Sequence, residues 1–133
     1  MNEKQPASAS ETTNGESHLD HLPLLLDLPL FKKQIKEGAA WSKGPRSALT
    51  VYKSENLRLV LIALHKNGDL PKHTAPGRIS VQVLEGHIRF GTEEKVIELA
   101  EGQIVTLKEH VPHDVLALEE SLILLTIALK AAG

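Results

Sequence analysis

From Ala48 onward, apolar and polar residues fall into short runs separated by turn chemistry, and the runs alternate with the two-residue period of strands rather than the 3.6-residue period of helices. The pattern predicts strands over Ala48–Lys53, Leu57–His65, Arg78–Leu84, His87–Thr92, Lys95–Leu99, Ile104–Leu107, Asp114–Leu118 and Leu122–Leu129. The breaks between them are Ser54-Glu55-Asn56, Asn67-Gly68-Asp69, Glu85-Gly86, Glu93-Glu94, Glu101-Gly102 and Glu119-Glu120, residues that turn readily. Many short strands at regular spacing predict an all-β antiparallel barrel or sandwich. Two runs, Leu57–Leu64 and Leu122–Leu129, are largely apolar on both faces, so the outer face of the barrel needs a cover. A homodimer is the simplest cover, and the leucine-rich segment before the barrel is the alternative.

That segment differs in pattern from both its neighbours. Residues 1–17 are rich in Ser, Thr, Asn, Gln and Glu and hold no large apolar residue after Met1, which predicts a disordered tail. Residues 18–47 form an arm containing six leucines between Leu22 and Phe31, interrupted by Pro23 and Pro29. The prolines argue for an extended arm with one helical turn at Phe31–Ile35, and the leucines for burial on the barrel or on a second copy. The barrel proper is residues 48–133.

Composition narrows the function. A chain of 133 residues, 41% hydrophobic, supports one compact core and not two. A formal net charge of -2, with no basic cluster, leaves no footprint for nucleic acid or an anionic membrane. No cysteine is present, which removes thiolate zinc sites and thiol nucleophiles. The N-terminus is too polar for a secretory leader and no apolar run approaches a membrane span, so the expected location is the cytoplasm. Gly-x-Ser-x-Gly and phosphate-binding glycine loops are missing from the sequence.

The candidate chemistry lies in histidines. His73 sits in Gly68-Asp69-Leu70-Pro71-Lys72-His73-Thr74-Ala75-Pro76-Gly77-Arg78-Ile79, followed by Ser80-Val81-Gln82-Val83-Leu84 and the turn Glu85-Gly86. His113 sits in Gly102-Gln103-Ile104-Val105-Thr106-Leu107-Lys108-Glu109-His110-Val111-Pro112-His113. Together these segments, across about residues 57–129, resemble the two motifs of the cupin family. The resemblance implies an antiparallel double-stranded β-helix, or jelly-roll barrel, with a ligand pocket in its mouth. In that family, His-x-His and a Glu from the first motif join a His from the second around a divalent metal. On this chain the resemblance assigns two of those positions, His73 and His113, and puts Ala75 and Ile79 where the second His and the Glu would stand.

Alternation then lines the expected pocket with Ile79, Val81 and Val83 beside Ala75, His73 and His113, and sets Arg78 on the rim as a clamp for a carboxylate. Two imidazoles bind a transition metal weakly, so a metal site needs a third ligand, for which His65 and His110 are the candidates. The expected cofactor is therefore none, or a weakly held divalent transition metal. His18 and His21, beside Asp20, are a further short cluster in the arm. The single tyrosine, Tyr52, matches poorly the acid that cupin-like sugar epimerases add to their histidine base. The expected function is binding of a small, partly apolar molecule without catalysis, in a homodimer. The alternative is a metal-dependent enzyme of the dioxygenase or isomerase kind using His73 and His113.

Overall fold

The computed structural model of this chain describes residues 21–130. The expected tail, residues 1–17, and His18 of the arm cluster lie outside the described residues. Among the described residues two helices, α1 (Leu28–Glu37) and α2 (Ala39–Lys43), precede nine strands: β1 (Arg46–Lys53), β2 (Leu57–Leu64), β3 (Asp69–His73), β4 (Arg78–Glu85), β5 (His87–Gly91), β6 (Val96–Ala100), β7 (Ile104–Leu107), β8 (His113–Ala117) and β9 (Ser121–Ala128). They pair antiparallel into a five-stranded sheet, β1-β2-β9-β4-β7, and a four-stranded sheet, β3-β8-β5-β6.

Eight of these strands follow the alternation of the sequence, and β3 does not. Its segment carries Asn67-Gly68-Asp69 and Pro71, which read as a turn. The chain does turn there, with Asn67 in the left-handed region at φ 71° and the Gly68 amide bonded to the His65 carbonyl, but it resumes as a strand at once.

The inner faces of the two sheets form one core. Ile62, Leu64, Ile79, Val81, Val83, Ile88, Phe90, Val115, Ile123 and Ile127 are all buried in it. The outer face of the five-stranded sheet carries a second cluster, in which Phe31 and Ile35 of α1 pack on Val51, Leu61, Ala63 and Leu122. The cover expected over β2 and β9 is therefore supplied by the arm, as a helix and not as an extended strap. Asp27 caps α1 by accepting from the Leu30 amide at 3.3 Å, and Pro29 sits in the first turn, where its missing N–H breaks no helical bond. A proline expected to block a helix instead starts one, and Phe31 and Ile35, one turn apart, share its buried face.

Each large side chain closed in this way contributes about 1.5–3 kcal/mol. Ion pairs from Lys32 to Glu85 (2.7 Å) and from Lys36 to Glu120 (2.6 Å) orient the helix, at about 0–1 kcal/mol each on an exposed surface. The Lys36 ammonium beside Glu120 holds that carboxyl below its ordinary range.

Candidate ligand site in the barrel mouth

One irregularity brings the two motif histidines together. Leu70 stands opposite Val115, so regular pairing would put Lys72 opposite His113 and His73 opposite Pro112. Instead the register shifts between Leu70 and His73, and His73 pairs with His113. Pro71 lies in that interval and has no N–H to give the ladder, which is the physical reason for an interruption there. The extra residue moves His73 onto the face already occupied by Leu70, Val115 and His113, the face toward the core. Directly opposed residues of an antiparallel pair bring their side chains together, and the rings meet edge to face with centroids 4.3 Å apart.

Both rings are held in the same way. His73 Nδ1 lies 2.7 Å from the Pro71 carbonyl oxygen and His113 Nδ1 lies 2.8 Å from that of Val111. A carbonyl oxygen only accepts, so each Nδ1 carries the proton and donates, and in the neutral ring each Nε2 keeps its lone pair. No side chain or backbone group among the described residues bonds either Nε2. His73 is exposed and His113 is buried, stacked on Phe90 with ring centroids 5.4 Å apart. Burial, with a smaller contribution from His73, lowers the His113 pKa below its ordinary value and so favours the neutral ring.

The other residues expected at the site divide into three groups. Ala75 and Ile79 are buried beside the mouth in the same apolar cluster, while Val81 and Val83 lie deeper on the Ile79 face and are only 3% and 0% exposed. The deeper barrel is thus filled with side chains, and of the residues expected at the site His73 and Arg78 are exposed. Arg78 precedes Ile79 and projects from the opposite face of β4. It lines a groove of about 480 Å³ on the rim with Glu109, His110 and Lys130, apart from the histidine pair.

Neither candidate third ligand joins the pair. His65 stacks on Trp41 of α2, centroids 3.4 Å apart, and its Nε2 donates to the Trp41 carbonyl oxygen at 2.7 Å. His110 is exposed on the rim in the left-handed region, at φ 67°, with its amide bonded to the Ala75 carbonyl. Among the described residues no group of three His, Cys, Asp or Glu side chains is placed to hold a metal ion. The donor set fits two positions of a metal site and does not complete one, because Ala75 and Ile79 offer no donor atom. Tyr52 stands opposite Leu59, whose side chain belongs to the outer cluster, away from the mouth.

One polar side chain at the mouth escaped the reading of the sequence. Arg58 lies among apolar neighbours in β2, and alternation puts it on the same face as Val60, Ile62 and Leu64, toward the core. Its Nε is buried without a hydrogen-bond partner. The signal was available: one charged residue in phase with the inward positions of an otherwise apolar strand.

No protein-family model matches the chain, and no curated protein matches it either. Solved structures do. A conserved protein of unknown function from Streptococcus pyogenes superposes with a TM-score of 0.62 at 24% identity, over 65% of this chain and 76% of that one. A cupin superfamily protein from Desulfitobacterium hafniense gives 0.62 at 12% identity, over 64% and 78%. An RmlC-like cupin from Desulfovibrio desulfuricans gives 0.59 at 24%, over 85% and 95%. At these identities the likeness establishes architecture and leaves activity open. With its two antiparallel sheets closed around one core and these neighbours in structure, the chain has the fold of a small, single-barrel cupin.

Proposed function

We propose that this protein binds a small, partly apolar molecule in the mouth of its barrel, without catalysis, with His73 and His113 as the polar anchors. The observation that carries the reading is the shared state of the two rings: each Nδ1 is committed to its own backbone, and the two Nε2 atoms are left above an apolar floor. Such a site takes a ligand with a hydrogen-bond donor at one end and hydrocarbon at the other. The inward faces of Ala75 and Ile79 support binding over metal chemistry, because they are hydrocarbon where the cupin motif would supply ligands.

A second reading has one observation in its favour. An imidazole whose Nδ1–H is fixed by a carbonyl is also oriented as metal-bound histidines are. A metal-dependent cupin enzyme would use His73 and His113 in that way, with further donors from outside the described residues or from solvent.

Metal content measured on tag-free protein purified without chelator separates the two. Near-stoichiometric iron, manganese, nickel or zinc that is lost in His73→Ala and His113→Ala overturns the metal-free reading. Ligand-induced stabilisation by small amides or alcohols, abolished by the same substitutions in metal-free protein, supports it.

The reading includes a homodimer in the cytoplasm. Leu22, Leu24 and Leu25 stay exposed at 53%, 43% and 84% on the chain leading into α1, which favours a second copy as their cover. Light scattering at twice the 14.5 kDa chain mass supports this, and a monomer mass overturns it. No helix among the described residues is long and apolar enough to cross a membrane.

A further inference from the structure

We propose that the ligand of the barrel mouth is an anion, a small carboxylate with an apolar tail, and that Arg58 is the group that binds its charge. The inference rests on the binding reading above and narrows it to a chemical class.

Three observations place Arg58 at the site. First, β2 runs from Leu57 to Leu64, and the turn through His65 and Gly68 reverses the chain into β3. β3 therefore returns toward the end of the barrel at which β2 began, and finishes there at His73. Arg46 fixes the other end, where its Nη1 donates to the Asp69 carbonyl oxygen at 2.9 Å. Second, Arg58 and Ile79 both stand opposite Ile127 of β9, from its two sides. Arg58, Ile127 and Ile79 thus form one row across the inner face of the sheet, at the end of the barrel where β3 finishes at His73. Third, Arg58 has no ion-pair partner among the described residues, and its Nε is buried and unbonded.

Its neighbour sharpens the point. Lys53 of the edge strand β1 stands directly opposite Arg58, and it too lacks an acidic partner among the described residues. Like charges opposed across a ladder repel, and the Arg58 Nε has lost solvent without gaining a hydrogen bond. The arrangement is unfavourable for the barrel alone and becomes favourable when an anion sits against both cations. Arginine suits a carboxylate because its fork can donate two parallel hydrogen bonds. A carboxylate on Arg58 would extend its tail over Ile127 and Ile79, with the histidine Nε2 atoms available to any donor it carries.

The test uses the full chain, with hexanoate and its neutral counterpart hexanamide as probes, followed by calorimetry and by NMR of the His113 ring. In the wild type, hexanoate is expected to bind at least about tenfold tighter than hexanamide, as a charge-assisted contact requires. Arg58→Met, which keeps the apolar stem, should remove that preference by weakening hexanoate far more than hexanamide. Lys53→Gln should reduce it by a smaller factor, and Arg58→Met should melt at or above the wild-type temperature.

Hexanoate binding no tighter than hexanamide overturns the proposal from the wild type alone, however the variants fold. So does a carboxylate preference that survives in Arg58→Met, or a fall of several degrees in its melting temperature, which marks a structural role. If hexanamide binds in a manner sensitive to His73→Ala but hexanoate has no advantage, the anion proposal fails and the binding reading stands. If neither probe binds, both fail.

Discussion

The two ends of this barrel are built from the same residue types, and every comparison between them comes out differently. At the end where β2 turns into β3, Arg46 donates to a backbone carbonyl, and His65 is both stacked under Trp41 and bonded to its carbonyl oxygen. At the mouth, Arg58 Nε is bonded to nothing, and His73 and His113 use only the nitrogen that faces their own backbone. Histidine identity therefore says little. The nitrogen it commits decides its role: His65 gives Nε2, the outer atom, to the fold, and the mouth pair keep theirs. A protein leaves few buried polar atoms unpaired, and the Arg58 Nε is one of them.

The comparison can be broken most severely at the closed end. A Cβ on Gly68 would lie 2.5 Å from the Pro45 carbonyl oxygen and 2.9 Å from that of His65, and neither backbone atom can move aside cheaply. Gly68→Ala is expected to cost about 3 kcal/mol, read from the urea midpoint. Trp41→Ala removes the ring over His65 and part of the outer cluster. A loss of about 2 kcal/mol is expected, less than for a fully buried aromatic because Trp41 is only half-buried. Neither change should alter ligand affinity at the mouth by more than about twofold, since distant sites couple weakly.

A smaller effect belongs to pH. The His113 pKa is lowered in the fold relative to its ordinary value of 6.5, so the unfolded chain binds the proton more readily. The contribution of the neutral ring to stability is full above pH 6.5 and is lost as pH falls through the lowered value. The difference in urea midpoint between wild type and His113→Asn should accordingly change as pH is lowered from 7.5 and be flat above it. A difference independent of pH would show that burial does not penalise this imidazolium.

The smallest effect compares the two left-handed residues other than glycine among those described, Asn67 where β2 turns into β3 and His110 at the rim, with φ of 71° and 67°. Asparagine tolerates this conformation better than histidine does. His110→Gly should gain up to about 0.5 kcal/mol, and Asn67→Gly should change stability by less. Equal effects at both positions would remove this distinction between the ends.

Most of the barrel was legible from alternation alone, because a strand with one buried face writes its pattern directly into the sequence. The misses have specific causes. Helix α1 was hidden by reading Pro29 as a breaker, although Asp27 ahead of it and Phe31 and Ile35 beyond it carried the signals of a capped, one-faced helix. Strand β3 was hidden because Pro71 and the preceding turn residues obscure its short pattern. The motif spacing singled out His73 and His113 from sequence, but their contact depends on the register shift between Leu70 and His73, which the spacing does not carry. The partners of His65 were not legible, since they depend on a helix that was not expected. Arg58 was passed over as an isolated charge in a greasy strand, and its position opposite Ile127 exists only once β9 is threaded between β2 and β4.

The register shift at Pro71 makes the chemistry of the mouth a matter of parity. The residue that selects which side chain meets His113 has no functional group of its own; it acts by withholding an amide hydrogen. Replacing Pro71 with a residue that can join the ladder removes the reason for the shift, and a strand that straightened would present Lys72 inward in place of His73. An imidazole pair would become an imidazole and an ammonium, without either histidine having been touched. The pair of groups that meet at this end of the barrel is therefore open to change through substitution of a single residue that belongs to neither of them.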